Sequence, residues 1–143
     1  MVNLTKPKMK LRFSYVDGGV HLKSGQAYYW WPEILPELGY ERYVRYLSGV
    51  LSAVAQVPSQ CDRLLKYIDD IEVGIESRIV GGGNDVELTF SKTGVQVDIL
   101  INDDWCGQPE GHFQLREWKM ALEAWRHFLT LPESLETVVE VDI

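Results

Sequence analysis

The segment from residue 86 to residue 101 constrains the fold more than any other part of the chain. Residues 86–90 and 95–101 each alternate apolar with polar side chains, and the short link at 91–94 reads Ser-Lys-Thr-Gly. Because successive side chains point to opposite faces of a strand, this pattern predicts a β-hairpin with one buried face. The predicted buried face takes every second residue of each strand: Val86, Leu88, Phe90, Val95, Val97, Ile99 and Ile101.

A helix is predicted to follow the hairpin, over residues 115–129. Apolar side chains recur there at the spacing of one helical face, and Pro132 follows as a helix terminator. The face carries Trp118, Ala121, Leu122, Trp125, Phe128 and Leu129. Full burial of a large apolar side chain contributes about 1.5–3 kcal/mol. A face with two tryptophans is therefore expected to cover the hairpin and anchor the core.

Two more helices are predicted before the hairpin. Residues 40–57 carry an apolar stripe at helical spacing, and Pro58 ends that helix. Ser59 and Asp62 fit a capping box, which predicts that a second helix begins there and ends at residues 69–72.

The remaining segments with period-2 alternation are predicted to be strands: 10–16, 20–23, 73–80 and 135–143. Glycine clusters predict turns at 17–19 and at 81–85. Together the elements predict one α+β domain over residues 1–143. Its core is expected to be a mainly antiparallel sheet of about five strands with about three helices packed on it.

Four consecutive aromatic residues precede the first helix: Tyr28, Tyr29, Trp30 and Trp31. Neither a helical nor a strand period allows all four rings to face one core, so some are expected at the surface. Pro32 and Pro36 are expected to break any regular element there. Two interpretations stay open: the rings cover the open end of the core, or they form an interface or the pocket of a small ligand-binding domain or enzyme.

The charge is distributed unevenly along the chain. Residues 1–60 carry 7 Lys and Arg against 4 Asp and Glu, a formal charge of +3, whereas residues 61–143 carry 7 against 17, a formal charge of −10. A polyanion is bound by neutralising its phosphates with Lys and Arg, so this distribution disfavours nucleic acid as a ligand. It favours a basic protein partner, although an acidic surface also serves solubility alone.

Two acidic segments are predicted to meet that partner. Asp69, Asp70 and Glu72 end the second helix, where negative charge opposes the helix dipole at a cost of about 0.3–1 kcal/mol each. Asp103 and Asp104 form a corner after the hairpin, and Trp105 follows them directly. We expect the six residues to form one binding patch, in which the carboxylates direct encounter and Trp105 is the central apolar anchor.

No catalytic, cofactor or metal motif is found. Cys106 and His112 lie close to Asp103 and Asp104, but nearby negative charge raises a thiol pKa and disfavours the nucleophilic thiolate. The scattered carboxylates do not follow the D-x-[DN]-x-[DN]-G loop of a calcium site. We therefore predict no enzymatic activity, no cofactor and no metal site.

The sequence predicts a protein of the cytosol. No apolar run approaches the roughly 18 residues of a membrane-spanning helix, and residues 1–10 lack the apolar segment of a secretory signal. Cys61 and Cys106 are expected to stay reduced.

A small acidic domain with a sheet, no catalytic motif and a late helix of the form Trp118-x6-Trp125-x2-Phe128-Leu129-x2-Pro132 resembles the bacterial immunity proteins of contact-dependent growth inhibition and related polymorphic toxin systems. The resemblance implies a protein that stays in the cytosol of the producing cell. There it would bind the C-terminal domain of a toxin, often a nuclease with a basic active-site surface, and block access of the substrate. No functional residue is carried over, because these proteins share no common motif.

Overall fold

Seven strands form two antiparallel sheets in the computed structural model, which describes residues 9–143. The three-stranded sheet has the order β2 (Gly25–Ile34), β1 (Lys10–His21), β7 (Val138–Asp142). The four-stranded sheet has the order β3 (Arg78–Gly83), β4 (Val86–Ser91), β5 (Gly94–Ile99), β6 (His112–Phe113). The predicted α+β class is confirmed, and the strands are divided between two sheets instead of lying in one. The prediction that the chain has no secretory signal concerns mostly residues 1–8, which lie outside the described residues.

Three helical regions connect and cover the sheets. The first consists of α1 (Glu41–Tyr43), a π-helical turn (Val44–Ser48) and α2 (Gly49–Val54), which follow one another without a break. The others are α3 (Pro58–Glu72) and α4 (Leu115–Leu129). Within residues 9–143, no helix is both long enough and apolar enough to cross a membrane.

The helix α4 lies at the centre of the core, as predicted. Its residues Trp118, Ala121, Leu122, Trp125 and Phe128 are each 0% exposed. The Trp125 ring meets the three-stranded sheet edge-on, with its centroid 5.1 Å from that of Phe13 and 5.6 Å from that of Trp30. One hydrophobic cluster joins residues from both sheets to this helix.

The predicted hairpin is confirmed in strands β4 and β5. Its members Val86, Leu88, Phe90, Val95 and Val97 are buried, and Ile99 is partly buried. Ile101 was placed wrongly on this face, since it is 72% exposed. The strand ends at Ile99, so alternation no longer determines where the next side chains point.

The first hairpin turns later than predicted. Strand β1 continues through Gly18 and Gly19 with a register irregularity between Asp17 and Val20, and it ends at His21. The Asp17 carboxylate accepts a hydrogen bond from the Gly19 N–H at 2.7 Å, which stabilises this irregularity without reversing the chain. The turn predicted at 17–19 is therefore wrong.

The break predicted at Pro32 is absent, and the turn predicted at 81–85 is present but confined to its last two residues. Pro32 lies inside β2, where a missing N–H is tolerated because β2 is an edge strand of its sheet. The three glycines at 81–83 belong to β3, and the turn itself is Asn84 and Asp85 with φ of +49° and +64°. A Cβ at Gly81 would lie 3.0 Å from the Tyr67 ring of α3, so the glycine lets this helix pack closely on the strand.

The second helix begins differently from the prediction. Pro58 is the first residue of α3. An N–H at this position would have no partner within the helix, so a proline, which lacks the N–H, is tolerated there. The Ser59 and Asp62 capping box is not formed, and Val57 precedes the helix without a side-chain cap. The capping box lies instead at α4, between Gln114 and Glu117.

Glu117 joins this cap to the first helical region. It is 8% exposed, and its carboxylate accepts hydrogen bonds from the Gln114 N–H at 3.1 Å and from the Tyr43 hydroxyl. Burial of the phenol, together with the neighbouring Glu117 carboxylate, raises the pKa of Tyr43 to about 12.

We expect the stabilisation by Tyr43 to be lost at high pH. The phenol is protonated in both states below its unfolded pKa of about 10, and only the unfolded state releases the proton between that value and about 12. The Tyr43→Phe variant should be less stable than the wild type by about 1–2 kcal/mol at pH 8, and this difference should narrow as the pH rises above 10. Urea unfolding of both proteins at pH 8 and pH 11 measures it. An equal difference at both pH values would contradict the assignment.

Candidate protein-binding surface

The six residues predicted to form one acidic patch lie in two groups, at opposite ends of the β4–β5 hairpin. Glu72 lies 3.5 Å from Lys119 near the start of α4, beside the end of the hairpin that holds Lys92. The segment Asp103–Trp105 follows the other end of β5, where the Leu100 N–H donates to the Asp85 carbonyl at 2.8 Å. Strand β5 is six residues long, so the two ends of the hairpin are about 17 Å apart. The single patch centred on Trp105 is therefore not formed.

Two of the three carboxylates at the end of α3 form ion pairs with lysines of the same chain. Asp70 pairs with Lys66 one turn earlier, and Glu72 pairs with Lys119. Asp69 is exposed and makes no ion pair within residues 9–143. This end of the molecule is consequently a poor source of concentrated negative charge.

The group after β5 is different, because its carboxylates have no cationic partner in the part of the chain that the structure describes. Asp103 and Asp104 are exposed on a short 3-10 turn, which Asn102 caps by accepting from the Asp104 N–H at 3.0 Å. Neither makes an ion pair among the described residues.

Glu87 and Asp98 extend this group onto the outer face of the four-stranded sheet. They stand directly opposite each other on β4 and β5, and they too lack an ion pair within residues 9–143. Like charges on facing strand positions destabilise a sheet. Sequence reasoning did not include this pair in the binding patch, although both residues occupy outward positions of the predicted hairpin. We call Glu87, Asp98, Asp103 and Asp104 the acidic cluster.

Cys106 lies within the field of this cluster. Burial raises the pKa of the Cys106 thiol most, and Asp98, Asp103 and Glu87 raise it further. The thiol donates to the Ile99 carbonyl at 3.5 Å, whereas Nε2 of His112 lies 2.7 Å from the Thr93 carbonyl oxygen. The predicted direction of the pKa shift is confirmed, and the two side chains have separate hydrogen-bond partners.

Trp105 connects the acidic cluster to a groove on the first helical region. Its ring is half-buried, and the Arg45 guanidinium stacks over it at 4.9 Å from the centroid. The groove has a volume of about 370 Å³ and is lined by Tyr40, Glu41, Val44, Arg45 and Trp105. The π-helical turn contributes Val44 to this wall with 41% of its surface exposed.

The four consecutive aromatic residues divide between the core and the surface, because they lie in strand β2. Tyr28 packs against Tyr15 and Trp30 against Trp125, whereas Tyr29 and Trp31 point outward and are 56% and 53% exposed. The expectation that some of these rings reach the surface is confirmed. A pocket lined by all four is wrong, since alternation sends them to opposite faces.

A second groove of about 470 Å³ lies beside β2. It is lined by Trp30, Trp31, Pro32, Glu33, Ile34 and Val44. Since Val44 borders both grooves, the groove at Trp31 and the groove at Trp105 are neighbours. We call the two grooves together the aromatic surface.

Within residues 9–143, no three His, Cys, Asp or Glu side chains are placed to hold a metal ion together. The fold and the exposed groups define an α+β domain with an open aromatic surface beside an unpaired acidic cluster. Comparisons with protein-family models, curated proteins and solved structures found no match to this chain.

Proposed function

We propose that this chain is an immunity protein that binds a basic toxin domain of a polymorphic toxin system in the cytosol of the producing cell and covers the toxin's active site. The observation that carries the proposal is the acidic cluster, whose four carboxylates have no ion-pair partner within residues 9–143 and lie beside the half-buried Trp105. The partner is a protein with a cationic surface, of which a nuclease domain is one kind.

Charge and shape have separate roles in this proposal. Unpaired carboxylates attract a basic partner during encounter and disfavour acidic competitors, while affinity comes from buried aromatic anchors. Trp105 and Trp31 supply such anchors, and aromatic residues are enriched at the centres of protein interfaces. The like-charge pair Glu87 and Asp98 weakens the sheet locally, and a cationic partner would relieve that repulsion.

The proposal is tested by searching the gene directly upstream for a basic toxin domain and measuring its binding to this chain. We expect a one-to-one complex, measured by calorimetry, and protection of cells that express the toxin domain. The double variant Asp103→Lys/Asp104→Lys should lose at least about tenfold in affinity through repulsion of the basic partner. Trp105→Ala should lose about 2 kcal/mol of binding free energy through loss of the anchor.

The matched control is Asp69→Lys/Glu72→Lys, which makes the same change of net charge at the other end of the hairpin. Its affinity should fall much less, because that group lies about 17 Å away. An equal loss in both double variants would indicate a general charge effect and overturn the proposed surface. Unchanged affinity in the Asp103→Lys/Asp104→Lys variant would also overturn it.

A further inference from the structure

The groove beside β2 has an open aromatic wall. Trp30 is packed against the core, but Trp31 is 53% exposed and Val44 is 41% exposed. Among the described residues, no cationic group lies over the ring of either tryptophan. The ring of Trp31 is therefore available to a group from outside the chain.

Among residues 9–143, Glu33 is the only acidic side chain that lines this groove, and its carboxylate has few partners. The nearest cation is Arg12, whose Nη1 lies 3.7 Å from the carboxylate, and the Arg12 Nε–H donates its hydrogen bond to Glu140 at 3.3 Å. Within residues 9–143, no hydrogen bond to the Glu33 carboxylate is formed, and 35% of its side chain is exposed. Glu33 is therefore ion-paired with Arg12 at a distance too long for a hydrogen bond, and its oxygens keep the capacity to accept from a donor that enters the groove.

A flat ring beside a carboxylate that accepts no hydrogen bond within residues 9–143 matches the chemistry of a guanidinium group. Guanidinium stacks on indole rings and presents a planar fork of N–H donors to a carboxylate, whereas a lysine ammonium offers only a compact charge. The chain already uses such stacking internally, with Arg45 over Trp105 at 4.9 Å and Arg42 over Phe113 at 4.4 Å.

We propose that the groove lined by Trp31 and Glu33 binds an arginine side chain of the partner protein. The inference rests on the proposed function in taking the partner to be basic, and it adds the residue type that is recognised. The arginine stacks on Trp31, and its fork donates to Glu33. Trp105 and the acidic cluster then contact the surface around that arginine.

The test needs no partner protein. A blocked Gly-Arg-Gly peptide is titrated into the full chain while the indole N–H signals are followed by NMR, and a Gly-citrulline-Gly peptide is the neutral control of the same shape. We expect saturable shifts of the Trp31 signal with the arginine peptide and at least tenfold weaker binding of the citrulline peptide. Equal binding of both peptides, or no saturable shift of the Trp31 signal, would overturn the inference.

Three variants locate the binding. Glu33→Gln should reduce binding of the arginine peptide to the level of the citrulline peptide, and Trp31→Ala should abolish it. Tyr29→Ala is the matched control, because Tyr29 is 56% exposed on the same face of β2 and does not line the groove. Equal loss in the Tyr29 and Trp31 variants would contradict the site.

The titration and the toxin-binding experiment test the two proposals separately. A failed titration with successful toxin binding would overturn only the arginine site, whereas a successful titration without toxin binding would overturn only the proposed function.

Discussion

Replacing Trp125 with alanine is expected to destabilise the protein by about 3–5 kcal/mol, as for other large aromatic residues removed from a core. Trp125 is 0% exposed, and its ring contacts Phe13, Trp30 and Phe128 at centroid distances of 5.1, 5.6 and 5.5 Å. Its indole N–H also donates to the Ala55 carbonyl at 2.9 Å, and that buried acceptor would lose its partner. A domain is stable by only about 5–15 kcal/mol in total, so the variant should unfold at a much lower urea concentration.

The control for this prediction is Trp31→Ala, which removes the same side chain from a site that is 53% exposed. Its free energy of unfolding should fall by less than half as much, because about half of that surface is already in contact with water and no buried hydrogen bond is lost. Urea unfolding followed by circular dichroism measures both variants. Equal destabilisation would show that α4 does not anchor the core.

The second large effect is expected for Gly94→Ala. Gly94 has φ of +134°, and a Cβ there would lie 2.1 Å from the Phe113 carbonyl oxygen. The new methyl group would push β6 away from β5 and displace the start of α4, and the backbone conformation is itself unfavourable for alanine. We expect a loss of at least about 3 kcal/mol from the strain and the displaced strand together.

Gly107 provides the matched control for that substitution. Its φ is +67°, but no atom of residues 9–143 outside its immediate neighbours lies within 4 Å of a Cβ built there. Gly107→Ala should therefore lose only the roughly 1–2 kcal/mol of a left-handed backbone conformation. The two variants are compared by their urea midpoints, and similar midpoints would show that the β5–β6 contact can relax.

The elements that the sequence predicted best are those with strong local periodicity. Helix α4 has the predicted bounds Leu115–Leu129, and the hairpin buries most of its predicted face. In both cases the spacing of the apolar residues predicts directly which side chains are buried. The segments predicted from proline and glycine alone did less well, because the same residues also occur in edge strands and close packing contacts.

The candidate site was predicted only in part, and the reason is spatial. The corner after β5 has the predicted surface position: Asp103 and Asp104 are exposed, and the neighbouring Trp105 is half-buried. Asp69 and Glu72 belong to the other end of the hairpin. The sequence places both groups next to the same sheet, but it does not show at which end of the hairpin each group lies. That depends on the direction in which α3 crosses the strands.

The sequence by itself determined the α+β class, the buried faces of the β4–β5 hairpin and α4, and the negative charge of the later part of the chain, because these follow from residue type and local spacing. The tertiary structure decided the division into two sheets, where Lys10 pairs with Asp142 across nearly the whole chain. It also decided that the grooves at Trp31 and Trp105 are neighbours that share Val44. Such pairings depend on packing between distant segments, and no local pattern of residues encodes them.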